Sequence, residues 1–288
     1  MKYKKPKKVL VTGAQGQLGA DMMELLKRKG ITAVGYGKDQ LDITNAEQVL
    51  EVIGYERPTH VVHAAAFTKV DEAEGERDKA YAINAFGTRN VAVAANKVGA
   101  RLVYVSTDYV FDGRATTPYH EFARPRPMNV YGATKYEGEN FVRNHHARAF
   151  IVRTSWVFGV HGPNFAKMIL QLGHQQPELK VVHDQVGSPT YTVDLAEMIL
   201  QLMVTERYGT YHVSNSGTCS WYEFACAIME EAGLAVKVRP VPTSQFPRPA
   251  RRPAFSALEG MALRLNGFPA LRPWQEALRD FIARLPKD

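Results

Sequence analysis

The sequence predicts an α/β fold: a doubly wound parallel sheet with helices on both faces, joined to a smaller mixed α/β C-terminal part. Three observations carry this. Short β-branched runs alternate with longer helix-compatible stretches up to about Arg153, a glycine-rich turn separates the first run from the first helical stretch, and the alternation loosens beyond Trp156. With 288 residues, 45% hydrophobic and 23% charged, the chain can fill one large core or two small ones, which excludes disordered, collagen-like and disulfide-stapled classes.

The strands of the first half are Lys8–Thr12, Thr32–Tyr36, His60–His63, Leu102–Ser106 and Phe150–Arg153, each a run suited to a buried parallel strand. Between them, Leu18, Met22, Leu25 and Leu26 share one helical face, and Ala82, Ala85, Val91 and Ala95 lie in a long Ala-rich helical segment starting near Asp78. Parallel strands need such crossovers. Later helices are expected near Asn164–Gln171, Thr192–Val204 and Ser220–Glu231, and a Pro-rich piece runs from Pro240 to Pro253. The segment Trp274–Leu285 repeats Trp274, Leu278, Phe281 and Leu285 at helical spacing and closes the chain as an amphipathic helix. The expected division is 1–156 as a dinucleotide-binding domain, with a returning segment near 185–215, and 157–288 mainly as a smaller substrate domain.

Of the net charge of +7, five charges come from Lys2, Lys4, Lys5, Lys7 and Lys8 in an N-terminal tail read as solvated, and the remainder is only +2. No basic helix or aromatic-interleaved basic stripe follows, so no nucleic-acid partner is expected. No apolar stretch reaches the roughly 20 residues of a membrane helix. Cys219 and Cys226 fit neither a redox pair nor a zinc pattern and read as idle thiols of a reducing compartment. A cytoplasmic protein without membrane association is the expectation.

Gly13-Ala14-Gln15-Gly16-Gln17-Leu18-Gly19 follows the first strand and opens the first helix. A backbone that turns tightly and approaches a pyrophosphate has no room for side chains, and the helix start offers free N–H groups to the anion. In this place the motif predicts a Rossmann-type dinucleotide site. The second strand ends in Gly35-Tyr36-Gly37-Lys38, without the carboxylate that would bond a ribose 2′-hydroxyl. Lys38 therefore favours NADPH, with NADH also accepted.

Tyr131-Gly132-Ala133-Thr134-Lys135 places a phenol and an ammonium one helical turn apart. A fixed cation favours the phenolate, bringing a group with an ordinary pKa near 10 toward proton exchange at neutral pH. Ser106-Thr107-Asp108-Tyr109-Val110-Phe111 follows the fourth strand, at the end where open parallel sheets bind ligands.

Together with Leu41-Asp42-Ile43-Thr44, Ala64-Ala65-Ala66, Phe67–Asp71, Val152–Trp156, Gln185–Thr190, Tyr211–Asn215, Arg252-Pro253 and Leu265–Gly267, these motifs resemble the extended short-chain dehydrogenases/reductases. More narrowly, they resemble the dTDP-4-dehydrorhamnose reductase family. The resemblance implies Tyr131 as proton donor, Lys135 as the lysine that lowers its pKa and holds the nicotinamide ribose, and Thr107 as hydrogen-bond partner of the sugar C4 oxygen. It further implies Gly13, Gly16, Gln17, Leu18 and Gly19 at the pyrophosphate, Asp42 and Ile43 at the adenine, Ala65 and Ala66 beside the adenosine and ribose, and Asn84 near the cofactor. Val70, Asp108, Tyr109 and Trp156 would line the sugar pocket, and Arg252 would meet the diphosphate. The substrate so implied is dTDP-4-dehydro-L-rhamnose.

Some family members dimerise through a magnesium held by glutamates. Here Asp21 stands at one such position, and no second or third acidic partner is evident in the sequence, so no metal is expected and the protein is either monomer or homodimer. His63, His183 and His212 read as packing residues, and His145-His146 as a solvated helix end. Two other functions share parts of this pattern. A nucleotide-sugar epimerase or dehydratase retains its nicotinamide through a catalytic cycle, but the second acid that dehydratases use after the threonine is absent at Asp108-Tyr109. A non-catalytic regulatory subunit like that of methionine adenosyltransferase would not require Thr107, Tyr131 and Lys135 together.

Overall fold

The computed structural model of the chain describes residues 6–286. Its centre is a six-stranded parallel sheet. Strands β1 (Lys8–Thr12), β2 (Thr32–Tyr36), β3 (His60–His63), β4 (Arg101–Thr107) and β5 (Ala149–Thr154) are joined at the far edge by a sixth strand, Gly209–His212. In space the order is sixth strand, β5, β4, β3, β1, β2. The switch in direction between β1 and β3 opens a crevice at the strands' C-terminal ends, where open α/β sheets take ligands.

Two helical layers cover the sheet. On one face α1 (Gln17–Arg28) lays Leu18, Met22, Leu25 and Leu26 against β1 and the sheet centre. On the other face α2 (Ala46–Glu56) contributes Val49 and Ile53. Short helices α3 (Val70–Gly75) and α4 (Arg77–Tyr81) lead into a π-helical turn, Ala82–Gly87, and then α5 (Thr88–Lys97), so the Ala-rich segment is a helix with a bulge in its middle. Helix α6 (Val130–His145) begins at Asn129, whose side chain accepts from the Gly132 N–H at 2.8 Å.

Beyond β5, helices α7 (Phe165–Gln175), α9 (Trp221–Glu231) and α11 (Trp274–Arg284) enclose a second apolar core around Phe158, Tyr191, Phe224 and Phe281. Ser220 and Glu223 form a reciprocal capping box at the start of α9. Between α7 and α9, α8 (Thr192–Met203) packs instead on α1 and the main sheet through Leu195, Ile199 and Leu202. The small helix α10 (Met261–Leu265) lies beside the sixth strand.

Two surface expectations need correction. Lys2, Lys4 and Lys5 lie outside the described residues, but Lys8 belongs to β1 and pairs with Glu56 at 2.5 Å, so it is no part of a free tail. His146 is buried and its Nε2 bonds the Ala100 carbonyl at 2.9 Å, because α6 ends against the start of β4; only His145 is at the surface. Among the described residues, no helix is long and apolar enough to cross a membrane.

Candidate active site

The site is assembled at the C-terminal end of β4. Thr107 pairs in register with Thr154 of β5 and ends the strand, and its Oγ1 accepts from the Tyr109 N–H at 3.2 Å, capping the 3-10 turn Asp108–Val110. That turn lies directly under the start of α6. A Cβ on Gly132 would sit 2.1 Å from the Tyr109 carbonyl oxygen, so only glycine permits this approach. The contact brings Tyr131 beside Tyr109, with ring centroids 5.9 Å apart and edge to face, and within hydrogen-bonding reach of Thr107. Thr107, Tyr131 and Lys135 therefore meet at one place.

Electrostatics there depart from the expectation that the lysine draws the tyrosine down. Lys135 is buried, its Nζ donates to the Val105 carbonyl at 2.7 Å, and it lies 4.2 Å from the Tyr104 ring centroid. Burial pulls its pKa down to about 7, opposed by the negative charge of Glu139. Burial also pushes Tyr131 up to about 12, against the lowering effect of the Thr107 hydrogen bond. Losing solvent disfavours both charged forms. Tyr131 is thus held as the neutral phenol, the form required of a proton donor.

Asp108 is buried, and its Oδ1 accepts from the Thr107 hydroxyl at 3.0 Å while Oδ2 has no partner. Burial raises its pKa to about 6, opposed by hydrogen bonds from Ser256 and Thr107. A buried carboxylate oxygen without a partner is costly unless it meets a ligand hydroxyl. Because the folded pKa lies above the unfolded value, the ionised form costs stability at pH 8, and that cost shrinks as pH falls below about 6 and is gone only below the ordinary carboxylate range. Asp108→Asn is expected to melt at or above wild type at pH 8 and to keep only part of that advantage at pH 5, while raising the sugar KM at neutral pH. Parallel melts and initial rates at the two pH values check it; a KM left at the wild-type value would remove Asp108 from the pocket.

The glycine-rich turn fits a dinucleotide. Gly13 adopts φ +69°, and a Cβ there would lie 2.7 Å from the Ala65 nitrogen. Ala65 and Ala66 continue β3 past that point, and the Gly13 and Ala14 N–H groups are tied to the Tyr36 carbonyl at the end of β2. Helix α1 starts at Gly16 with no side-chain cap, which leaves its first N–H groups to an anion. Leu18 turns its side chain into the core, so only its backbone is available, and the Gln17 side chain accepts from Asn164 at 3.0 Å. Lys38 is exposed beyond β2.

Other expected residues are committed to the scaffold. Asp42 accepts from the Thr44 N–H and hydroxyl at 2.9 and 2.7 Å, and Ile43 is buried against α5 and its neighbours. Asn84 is fully buried: its Oδ1 accepts from the Phe67 N–H at 2.8 Å, and its Nδ2 donates to the Phe67 carbonyl and to Thr134. It braces the loop after β3 against α6. Val70 is half-buried at the start of α3. Trp156 takes φ +47°, unusual for a bulky residue, and stacks on Trp221 with centroids 3.5 Å apart. The Arg252 guanidinium is already paired with Asp71 at 2.9 Å and donates to the Ala250 carbonyl at the same distance.

Sequence reasoning missed Asp71, Trp221 and Glu139. Glu139 alone carries a local signal, one turn beyond Lys135 on the same face. Asp21 has polar neighbours that its sequence surroundings did not single out. Partners arrive from the next helical turn and a distant loop, with His161 Nε2 3.7 Å from Asp21 Oδ1 and 3.1 Å from Glu24 Oε1.

Residues 7–286 match the family model described as RmlD substrate binding domain. The spore coat polysaccharide biosynthesis protein SpsK of Bacillus subtilis is 45% identical over 96% of each chain. A dTDP-4-dehydrorhamnose reductase of Aggregatibacter actinomycetemcomitans is 38% identical over 96% of this chain and 98% of its own. Among solved structures, a dTDP-4-dehydrorhamnose reductase of Bacillus anthracis in complex with NADP is 51% identical with TM-score 0.95, over 97% of this chain and 99% of that one. The chain belongs to the RmlD family of dTDP-4-dehydrorhamnose reductases, which are NAD(P)H-dependent oxidoreductases.

Proposed function

We propose that this chain reduces the C4 carbonyl of dTDP-4-dehydro-β-L-rhamnose with NADPH, releasing dTDP-β-L-rhamnose, and accepts NADH as well. The observation that carries this function is the convergence of Thr107, Tyr131 and Lys135 at the end of β4, beside a glycine-rich turn built for a pyrophosphate. The relative from Bacillus anthracis holding NADP supports the cofactor. The cofactor would be held by 1–156 with a returning segment near 185–215, and the nucleotide sugar mainly by 157–288.

Bound NADPH supplies a hydride to C4 of the sugar. The chain's residues do the rest. Thr107 turns its hydroxyl hydrogen bond from Asp108 to the C4 oxygen and orients the carbonyl. Tyr131 gives its phenolic proton to that oxygen as negative charge develops, so a ketone, a hydride and a proton balance as the alcohol. Lys135 in its ammonium form stabilises the phenolate left behind until solvent protonates it again. Asp108 accepts from a sugar hydroxyl. Arg252 exchanges Asp71 for the diphosphate, a substitution its planar fork can make.

Mixing the protein with dTDP-4-dehydro-L-rhamnose and following NADPH absorbance tests the function. Stoichiometric oxidation with dTDP-L-rhamnose as product is expected; cofactor binding without oxidation would move the assignment to an epimerase or a regulatory subunit. Lys38→Glu is expected to raise the NADPH KM by about tenfold and leave that for NADH nearly unchanged, through repulsion of the 2′-phosphate. Equal effects on both cofactors would place Lys38 away from the phosphate.

A further inference from the structure

Helix α6 carries a second buried ionisable group besides Lys135. Glu139 stands one turn beyond Lys135 and two beyond Tyr131, and its side chain is 0% exposed. Both carboxylate oxygens are engaged. Oε1 accepts from Ser106 Oγ at 2.6 Å and Arg153 Nε at 2.8 Å, and Oε2 accepts from Arg153 Nη2 at 2.7 Å and Arg143 Nη2 at 2.6 Å. Arg153, itself buried on β5, places Nη1 3.3 Å from His212 Nε2 on the sixth strand. Ser106 immediately precedes Thr107. One carboxylate thus joins the helix of Tyr131 and Lys135 to β4, β5 and, through Arg153, the sheet edge.

Stability alone does not call for this. A buried ion pair gains little over apolar side chains of equal volume, since desolvation offsets the attraction. A charge kept in such a place has a use when a neighbour needs its field, and that neighbour is Lys135. We propose that Glu139 is a positioning residue for the reduction, locking α6 in register with the Thr107 end of β4 and holding Lys135 in its ammonium form. This role presupposes the part given to Lys135 in the proposed reaction.

The groups facing Lys135 leave that task to Glu139. On β4, the Tyr104 ring and the Val105 carbonyl contact it, and both are uncharged. On β3, His63 stacks on Tyr104, and burial pushes its pKa to about 3, so it is neutral. His212, on the sixth strand, is brought to about 3 by burial and by Arg153. Arg153 and Arg143 add positive charge, which disfavours a second cation nearby. Asp108 acts on Tyr131, and the uncharged Asn84 bonds Thr134. Among the described residues, Glu139 is the charge that favours protonated Lys135.

The test is the alkaline limb of kcat/KM against pH for NADPH-dependent reduction. Glu139→Gln keeps the shape and a partner for Ser106, and the limb is expected to move about one pH unit lower, with acid-side turnover near wild type. Because Glu139→Gln strands a buried guanidinium, the double variant Glu139→Gln/Arg153→Met is measured beside Arg153→Met alone, and its limb is expected to lie about one pH unit below that of Arg153→Met. Arg143→Gln, on the half-exposed side of the pair, should move the limb upward. A uniform loss of rate with an unmoved limb makes Glu139 a structural brace and overturns the proposal. So does a limb that is the same in the double variant as in Arg153→Met alone. If neither Glu139 variant folds, an unmoved limb in Arg143→Gln overturns it. Failure of the underlying reaction is distinguishable, since wild type would then not turn over, or Lys135→Met would retain wild-type rates.

Discussion

Tyr131→Phe is expected to lower kcat by about 10²–10⁴-fold, the usual contribution of a positioned acid, while KM for the sugar and for NADPH stays within a few-fold of wild type. The phenyl ring preserves the edge-to-face contact with Tyr109, so the pocket keeps its shape and only the proton is lost. Burial holds Tyr131 at about 12, so the phenol is essentially fully protonated at neutral pH. Initial rates across both substrate concentrations check the split. A variant that loses affinity and keeps kcat would make Tyr131 a binding group and move the acid to water or another side chain.

Gly132→Ala is the second large effect expected, although it removes no chemical group. The new methyl would sit 2.1 Å from the Tyr109 carbonyl oxygen, 2.8 Å from its carbon and 3.2 Å from Asn129 Oδ1. Two of these are backbone atoms of the turn that carries Asp108 and Tyr109, and the third caps α6, so relief requires the helix start and the turn to separate. A displacement of about 1 Å at reacting groups costs on the order of 10²-fold in rate, and overpacking of this kind costs about 1–3 kcal/mol of stability. Both kcat/KM and the melting temperature should fall. A variant with wild-type kinetics would show that Tyr131 does not depend on this contact for its place beside Thr107.

Much of the main sheet could be read from local pattern. Strands β1, β2 and β3 begin and end where their β-branched runs do, and β4 and β5 extend one residue further on each side. Strands buried on both faces run as nearly continuous apolar, β-branched stretches, which leaves a signal at most of their residues. Helix α1 shows itself through Leu18, Met22, Leu25 and Leu26. Helix α2 has a weaker stripe with only Val49 and Ile53 buried, and its clearest mark, Asn45 accepting from the Gln48 N–H, becomes visible once the chain is folded. The sixth strand, Gly-Thr-Tyr-His, carries a single β-branched residue and lacks the run that marks the equally short β3.

The glycine-rich spacing after β1, the helical spacing of Tyr131 and Lys135, and the order of strands and helices are properties of neighbouring residues, and the amino-acid order carries them without help. Asp71 and Arg252 lie 181 residues apart, and Ser106 and Glu139 lie 33 apart, so their pairing depends on which strands are neighbours and how the loops close. The charge states of Lys135, Tyr131 and Asp108 have the same origin. Burial moves a titration by more than the adjacent residues do here, and burial belongs to the packed chain, which brings distant segments over each group and takes its water away.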